Sequence, residues 1–248
     1  TAGDIAVVSI NAGSSNDVTL ASATAITEDG DAATVLTDDL LAATAGGSIT
    51  LDTTVALADL ATSAAGDIDI NETDAIDLVS VTTADGSITV DSGDTLTATL
   101  VDSSATDDDT ADISLTTTAG GIAVVSINAG SLNDVVLTAA GAITEDGDAA
   151  TAVTADALSG TAGGSITLDT RVASADLATA SAGDIDIDET DSIDLASLAT
   201  ADGRITVDSG KTLTATLVDS SATDDDSNDI SLTATAGDIA VVSINAGR

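Results

Sequence analysis

The sequence contains no aromatic residue, no histidine, no cysteine, no methionine and no proline, and only four of its 248 residues are basic. Without cysteine the chain can form neither disulfides nor thiol-based sites. Without aromatic rings it lacks the stacking surfaces that often bind single-stranded nucleic acids and sugars. Its 43 acidic residues give a formal net charge of -39. This charge disfavours nucleic acids and anionic membranes as partners, because both require Lys and Arg.

The apolar residues that are present are small, being Ala, Val, Ile and Leu. They make up 43% of the chain, and the mean hydropathy is +0.34. That is too hydrophobic for a disordered chain. A single globular core of this length without one aromatic ring would be unusual, whereas stacked repeats need only cover their neighbours.

One segment occurs three times and defines the repeat. Residues 2–13 recur at 119–130 with one change and at 236–247 with none, so the period is 117 residues, and 91 of the 117 aligned positions are identical. The units are 1–118 (the repeat starting at residue 2), 119–235 and 236–248, and we expect them to form one continuous rod. No stretch resembles a signal peptide or a membrane-spanning run, so we interpret the chain as a window of a longer array.

Short alternating segments within each unit predict β-strands. In the segment at 47–51, Ile49 and Leu51 fall on one face and Thr50 on the other, and no window has the period of an amphipathic helix. The leading residues Ile49, Ile68 and Ile88 are spaced by 19 and 20 residues. This spacing predicts an all-β fold, a right-handed parallel β-helix (β-solenoid) of roughly 12–13 coils of about 19–20 residues.

The same segments carry a resemblance to a known class of proteins. Gly-Ser-Ile-Thr-Leu at 47–51, Gly-Asp-Ile-Asp-Ile at 66–70 and Gly-Ser-Ile-Thr-Val at 86–90 resemble the coils of filamentous-haemagglutinin-like bacterial exoproteins and large repetitive surface adhesins. The resemblance covers essentially the whole chain. It implies a right-handed β-helix, export to the cell surface or medium, and a role in adhesion or filament formation.

Acidic clusters separate the strands and are the candidate metal sites. Hard cations such as Ca²⁺ take six to eight oxygen ligands, and carboxylates on turns supply them. No recognised calcium-loop spacing is present, so the preferred interpretation is a solvated acidic surface, with calcium as the alternative. The candidate ligands are Glu28, Asp29, Asp31, Asp107, Asp108, Asp109, Asp112, Glu145, Asp146, Asp148, Asp224, Asp225, Asp226 and Asp229. A further acidic cluster lies at 71–74 and again at 188–191.

No convergent catalytic constellation can be named, so we do not expect an enzyme. Arg171, Arg204 and Lys211 all break the repeat. They either pair with acids of a neighbouring rod or reflect drift on an exposed face, and we favour drift.

The expected function is a structural rod segment of a giant secreted bacterial protein, forming an extracellular filament or adhesin stalk. The alternative is a calcium-dependent adhesion module whose lateral face contacts glycans or neighbouring copies. The expected partners are copies of the chain, neighbouring repeats, calcium or a host or environmental surface, with no nucleic acid and no membrane insertion.

Overall fold

A computed structural model describes residues 3–28, 30, 36–147, 153–223 and 227–247. In these ranges the secondary structure consists of short parallel strands joined by turns. None of the described segments is a helix long and apolar enough to cross a membrane. The predicted all-β parallel solenoid is therefore confirmed.

Each repeat unit contributes twelve strands among the described residues, in the same order. The first unit contains β1 (Ile5–Val7), β2 (Ile10–Asn11), β3 (Val18–Ser22), β4 (Ile26–Glu28), β5 (Leu36–Ala45), β6 (Ile49–Thr62), β7 (Ile68–Glu72), β8 (Ile76–Thr82), β9 (Ile88–Ser92), β10 (Leu96–Ala98), β11 (Val101–Asp102) and β12 (Ile113–Thr117). The second unit contains β13 (Ile122–Val124), β14 (Ile127–Asn128), β15 (Val135–Ala139), β16 (Ile143–Glu145), β17 (Val153–Ala162), β18 (Ile166–Ala182), β19 (Ile185–Glu189), β20 (Ile193–Asp202), β21 (Ile205–Ser209), β22 (Leu213–Ala215), β23 (Val218–Asp219) and β24 (Ile230–Ala234). The start of a third unit adds β25 (Ile239–Val241) and β26 (Ile244–Asn245).

Most strands belong to two parallel stacks, and the chain alternates between them as it coils. Five two-residue strands extend the ladders beside these stacks: β2 pairs with β5, β11 with β8 and β14, β14 also with β17, and β23 with β20 and β26. The first stack is β1–β4–β6–β7–β9–β12–β15–β17–β18–β20–β22–β25. The second stack is β3–β5–β6–β8–β10–β13–β16–β18–β19–β21–β24. The long strands β6 and β18 run through both stacks, so the ladders join into one continuous sheet.

Equivalent strands of the two units lie in different stacks. β1 begins the first stack, whereas its equivalent β13, with the same Ile-Ala-Val sequence, pairs with β10 in the second stack. β25, the equivalent strand of the third unit, lies in the first stack again, eleven pairing steps from β1. Two units of 117 residues therefore make eleven coils, and each unit makes five and a half. The solenoid turns by half a coil from one unit to the next.

The coils are longer and fewer than the sequence spacing predicted. The first stack connects twelve strands in eleven steps, so the described chain makes about ten to eleven turns rather than 12–13. The predicted spacing of 19 and 20 residues holds from Ile49 to Ile88. Most other steps are longer, as from Ile26 to Ile49 and from Ile88 to Ile113, whereas the step from Leu158 to Ala175 is shorter. At about 4.8 Å per step, the stack is about 53 Å long.

The interior is a single apolar column. Ile49, Leu51, Ile68 and Ile70 are buried as the alternation predicts, and they belong to one core cluster that spans both units. The identical register Ile49↔Ile68↔Ile88 puts isoleucine on isoleucine along the stack. Because the core is only one layer of small aliphatic side chains on each side, no aromatic ring is needed to fill it.

Glycine at the start of the repeated segments permits close stacking of the turns. A Cβ atom added to Gly66 would collide with the carbonyl carbon of Gly47 on the preceding coil, and one added to Gly86 would lie 2.5 Å from the carbonyl oxygen of Gly66. Gly164, Gly183 and Gly203 form the equivalent column in the second unit, with the same collisions. Gly66, Gly86, Gly183 and Gly203 are therefore required by backbone contact between coils, whereas a Cβ at Gly47 would make only an ordinary contact with Thr24.

Candidate functional site

A buried glutamate occupies the same corner of the coil in both units. Oε2 of Glu72 accepts hydrogen bonds from the Thr53 hydroxyl at 2.7 Å and from the Val55 amide at 3.0 Å, and Oε1 accepts from the Asp74 amide at 3.2 Å. Only 2% of Glu72 is exposed. The carboxylate thus takes the place of a backbone acceptor where the ladder turns the corner.

Glu189 repeats this arrangement in the second unit. It accepts from the Thr170 hydroxyl at 2.9 Å, the Val172 amide at 2.9 Å and the Asp191 amide at 2.7 Å. Burial raises the pKa of both Glu72 and Glu189, while the hydrogen bonds act in the opposite direction. Sequence reasoning placed both glutamates in solvated acidic clusters and missed their burial. The sequence signal for their burial was that each glutamate directly follows a segment with period-two alternation.

The acids predicted at 107–112 act separately, as caps on the next coil. The carboxylate of Asp107 accepts hydrogen bonds from the Ser131 amide at 3.0 Å, the Ser131 hydroxyl at 2.7 Å and the Leu132 amide at 2.7 Å, with the result that its pKa is lowered. Asp108 accepts from the Thr110 hydroxyl at 2.7 Å. Asp112 accepts from the amide of Asp134 at 2.9 Å. The cluster thus ties the turn to the coil that follows it.

The glutamates of the cluster near residue 28 and of its equivalent near residue 145 cap their own turns. Glu28 accepts from the Gly30 amide at 2.7 Å, and Glu145 accepts from the Gly147 amide at 2.6 Å. Asp109 has a left-handed φ of 67°, and Asp229 lines a surface cavity together with Arg204. Asp146 also makes an interaction. The remaining predicted ligands, Asp29, Asp31, Asp148, Asp224, Asp225 and Asp226, lie outside the described residues.

In the described part of the chain, no group of three or more acidic side chains is arranged to hold a metal ion. Calcium binding by the predicted clusters therefore stays a prediction. Acids of successive coils do stack, as the sequence implied. Burial raises the pKa of Asp69, and the neighbouring charges of Asp91, Asp52 and Asp67 raise it further. Asp186 is shifted in the same direction, by burial first and then by Asp188 and Asp208.

The two units carry equivalent surface grooves of opposite charge character. In the first unit a groove of about 300 Å³ is lined by Asp38, Asp39, Thr54, Asp74 and Asp94, among others. The equivalent groove in the second unit, about 310 Å³, is lined at the corresponding positions by Ala155, Arg171, Asp191 and Lys211. Because a unit contains five and a half coils, the two grooves lie beside different stacks. The equivalent lining residues differ at four positions: 38/155, 54/171, 75/192 and 94/211.

Asp38 is the unusual residue of the first groove. It is 2% exposed, and neither carboxylate oxygen has a hydrogen-bond partner in the described part of the chain. Its pKa is raised to about 6, mainly by burial and in addition by the negative charges of Asp17 and Asp39. The nearby Val18 amide lowers the pKa, although it does not reach hydrogen-bond geometry. Its equivalent is Ala155. The sequence signal for this unusual residue is the change from aspartate to alanine between the two units at an inward position.

The three described bases pair with aspartates of their own chain. Arg171 Nε lies 3.2 Å from Asp191 Oδ2, and the ammonium group of Lys211 contacts the other oxygen of Asp191. Lys211 is the main cause of the lowered pKa of Asp191, and Arg171 adds to it. Arg204 lies 3.2 Å from Asp184. All three pairs join neighbouring coils and are largely exposed, so each contributes little to stability.

Comparisons with known proteins do not extend this description. The chain matches no protein-family model, and neither the search of curated proteins nor the search of solved structures found a similar protein.

Proposed function

We propose that this chain is a structural rod segment of a secreted bacterial protein, which forms an extracellular filament or the stalk of an adhesin. The observation that carries the proposal is the uninterrupted stack across the unit boundary. β12 of the first unit pairs with β15 of the second over five consecutive residue pairs, from Ile113↔Val135 to Thr117↔Ala139. Units that stack without a hinge add length and stiffness, which are the properties that a spacer requires.

The nature of the surface supports the structural role over catalysis. Acids such as Asp107 and Glu72 are engaged in hydrogen bonds that join neighbouring coils. The expected partners are neighbouring repeats or further copies of the chain. We expect no turnover of a substrate.

A calcium-dependent adhesion module is the second candidate, favoured by one observation. The acids Asp52, Asp69 and Asp91 lie on three successive coils; burial raises the pKa of Asp69, and the charges of Asp91 and Asp52 raise it further. A cation between such carboxylates would relieve their repulsion and could bridge two rods or a rod and a glycan.

Electron microscopy of chains containing two, three and four units tests the spacer proposal. Each added unit should lengthen a particle of constant width by about 26 Å, from five and a half coils of about 4.8 Å. Adding calcium or a chelator should leave this increment unchanged. Lateral association that appears only with calcium would favour the adhesion module. Compact particles that do not lengthen would contradict the rod.

A further inference from the structure

The groove of the first unit is a concave acidic site with a buried, unsatisfied carboxylate at its base. Asp38 lines the groove at 2% exposure with both oxygens unpartnered among the described residues. Leaving a buried carboxylate without a hydrogen bond is costly. Asp39, Asp74 and Asp94 line the same groove, and no basic residue does. The groove is therefore complementary to a positively charged group that carries hydrogen-bond donors.

The second unit shows what kind of cation this backbone geometry accepts. There the ammonium group of Lys211 and the guanidinium group of Arg171 both contact Asp191, the equivalent of Asp74. The same backbone hydrogen bond holds the acceptor in both grooves: the Asp94 amide donates to the Asp74 carbonyl at 3.2 Å, and the Lys211 amide donates to the Asp191 carbonyl at 3.0 Å. The first unit thus retains the acceptor and lacks the built-in cations.

From this comparison we propose that the first-unit groove binds a primary alkylammonium group, with Asp38 and Asp74 as its carboxylate partners. A lysine side chain of another protein segment and a free polyamine share this chemistry. An ammonium group needs acceptors at about 2.8 Å, and the equivalent groove already accommodates one. A directly chelated metal ion needs several oxygens converging within about 2.6 Å, and the described acids do not provide such a cluster.

The test is calorimetric titration of the 248-residue chain with putrescine and, separately, with Nα-acetyl-lysine amide, whose side-chain ammonium group is free. The ionic strength should be about 0.15 M, to suppress non-specific electrostatic attraction. The parent chain should bind one equivalent at the groove. Asp38→Ala, which introduces the residue that the second unit carries, should weaken this binding by roughly tenfold or more. The matched control is Asp59→Ala, which also removes one negative charge but at an exposed site outside the groove. It should leave binding unchanged.

A transplant into the second unit provides the converse test. The quadruple substitution Ala155→Asp, Arg171→Thr, Ser192→Ala and Lys211→Asp reproduces the lining of the first groove and should raise the stoichiometry from one to two. Binding of both probes supports a site for the ammonium group itself. Binding of only putrescine identifies a polyamine as the ligand, and binding of only the lysine derivative identifies a lysine side chain. Equal affinities of the Asp38→Ala and Asp59→Ala chains would overturn the proposal, as would a transplant that adds no site. Binding of CaCl₂ with neither amine would also overturn it, in favour of a metal site.

Discussion

The hydroxyl of Thr53 donates a 2.7 Å hydrogen bond to Oε2 of Glu72 on the next coil, and Thr170 does the same to Glu189 at 2.9 Å in the second unit. Both glutamates also accept two backbone amides. In a chain with 43 acids, these two are structural elements of the interior. Each connects two successive coils at a corner of the solenoid.

Removing this acceptor should destabilise the rod locally. Glu72→Ala leaves the buried Thr53 hydroxyl and Val55 amide without their partner and removes the partly buried hydrogen bond of the Asp74 amide, which should cost roughly 2–4 kcal/mol in the free energy of unfolding. Urea-induced unfolding followed by circular dichroism measures the change. Asp59→Ala, at an exposed position, is the control and should change stability by less than about 0.5 kcal/mol. Similar effects of the two substitutions would show that Glu72 is not buried as described.

Asp38 should make stability depend on pH in a defined direction. Its pKa in the folded chain, about 6, is above its ordinary value of 3.8. The stability that Asp38 contributes is therefore fully present below about pH 4 and is lost as the pH rises through 6. Two pKa units represent roughly 3 kcal/mol, which we reduce to about 1–2 kcal/mol because the groove admits solvent.

The variant Asp38→Ala isolates this effect. It should be more stable than the parent chain at pH 8, and the difference should shrink toward pH 4, where Asp38 is largely protonated in both the folded and the unfolded state. Urea midpoints of both chains at the two pH values provide the measurement. A difference that is the same at pH 4 and pH 8 would mean that Asp38 has an ordinary pKa.

These two carboxylates show where sequence reasoning stopped. Period-two alternation correctly predicted which residues of 47–51 and 66–70 face the core, because burial on one face imposes that pattern. It did not predict the number of coils, because turn lengths vary without changing the strands. It also missed Glu72, since an acid at a strand end looks the same whether its partners are water molecules or buried amides. The half-coil offset was invisible for a similar reason: sequence identity between units does not specify which stack a strand joins.

The glycine column should be intolerant of even one methyl group. Gly66→Ala would push a Cβ into the backbone of Gly47, so neighbouring coils would have to separate. We expect a loss of about 1–3 kcal/mol, measured as a lower urea midpoint. Gly3→Ala is the matched control, because nothing lies within 4 Å of a Cβ at that position. If both variants unfold at the parent's midpoint, the turns are not stacked as closely as described.

Lys211 should hold the pKa of Asp191 low while adding little stability. Replacing Lys211 by Gln removes the first cause of the lowered pKa, which should then rise toward its ordinary value. Carboxyl-carbon NMR during a pH titration follows Asp191 directly. The unfolding free energy should fall by less than about 1 kcal/mol, because the pair is exposed. Arg204→Gln, which breaks the pair with Asp184, is the control and should leave Asp191 unchanged. An unchanged Asp191 pKa in the Lys211 variant would contradict the contact.

The central claim is that each unit makes five and a half parallel coils, so that β12 stacks under β15. Because the chain has no native cysteine, this can be tested with a cysteine pair at Ser114 and Val136, which are neighbours in the register of these strands. Adjacent parallel strands bring Cα atoms within disulfide range. The account predicts that this pair closes readily under mild oxidation, whereas a pair at Ser114 and Ala123, which lie in different stacks, closes slowly. Faster closure of the 114–123 pair, which spans the shorter loop, would contradict the stacked solenoid.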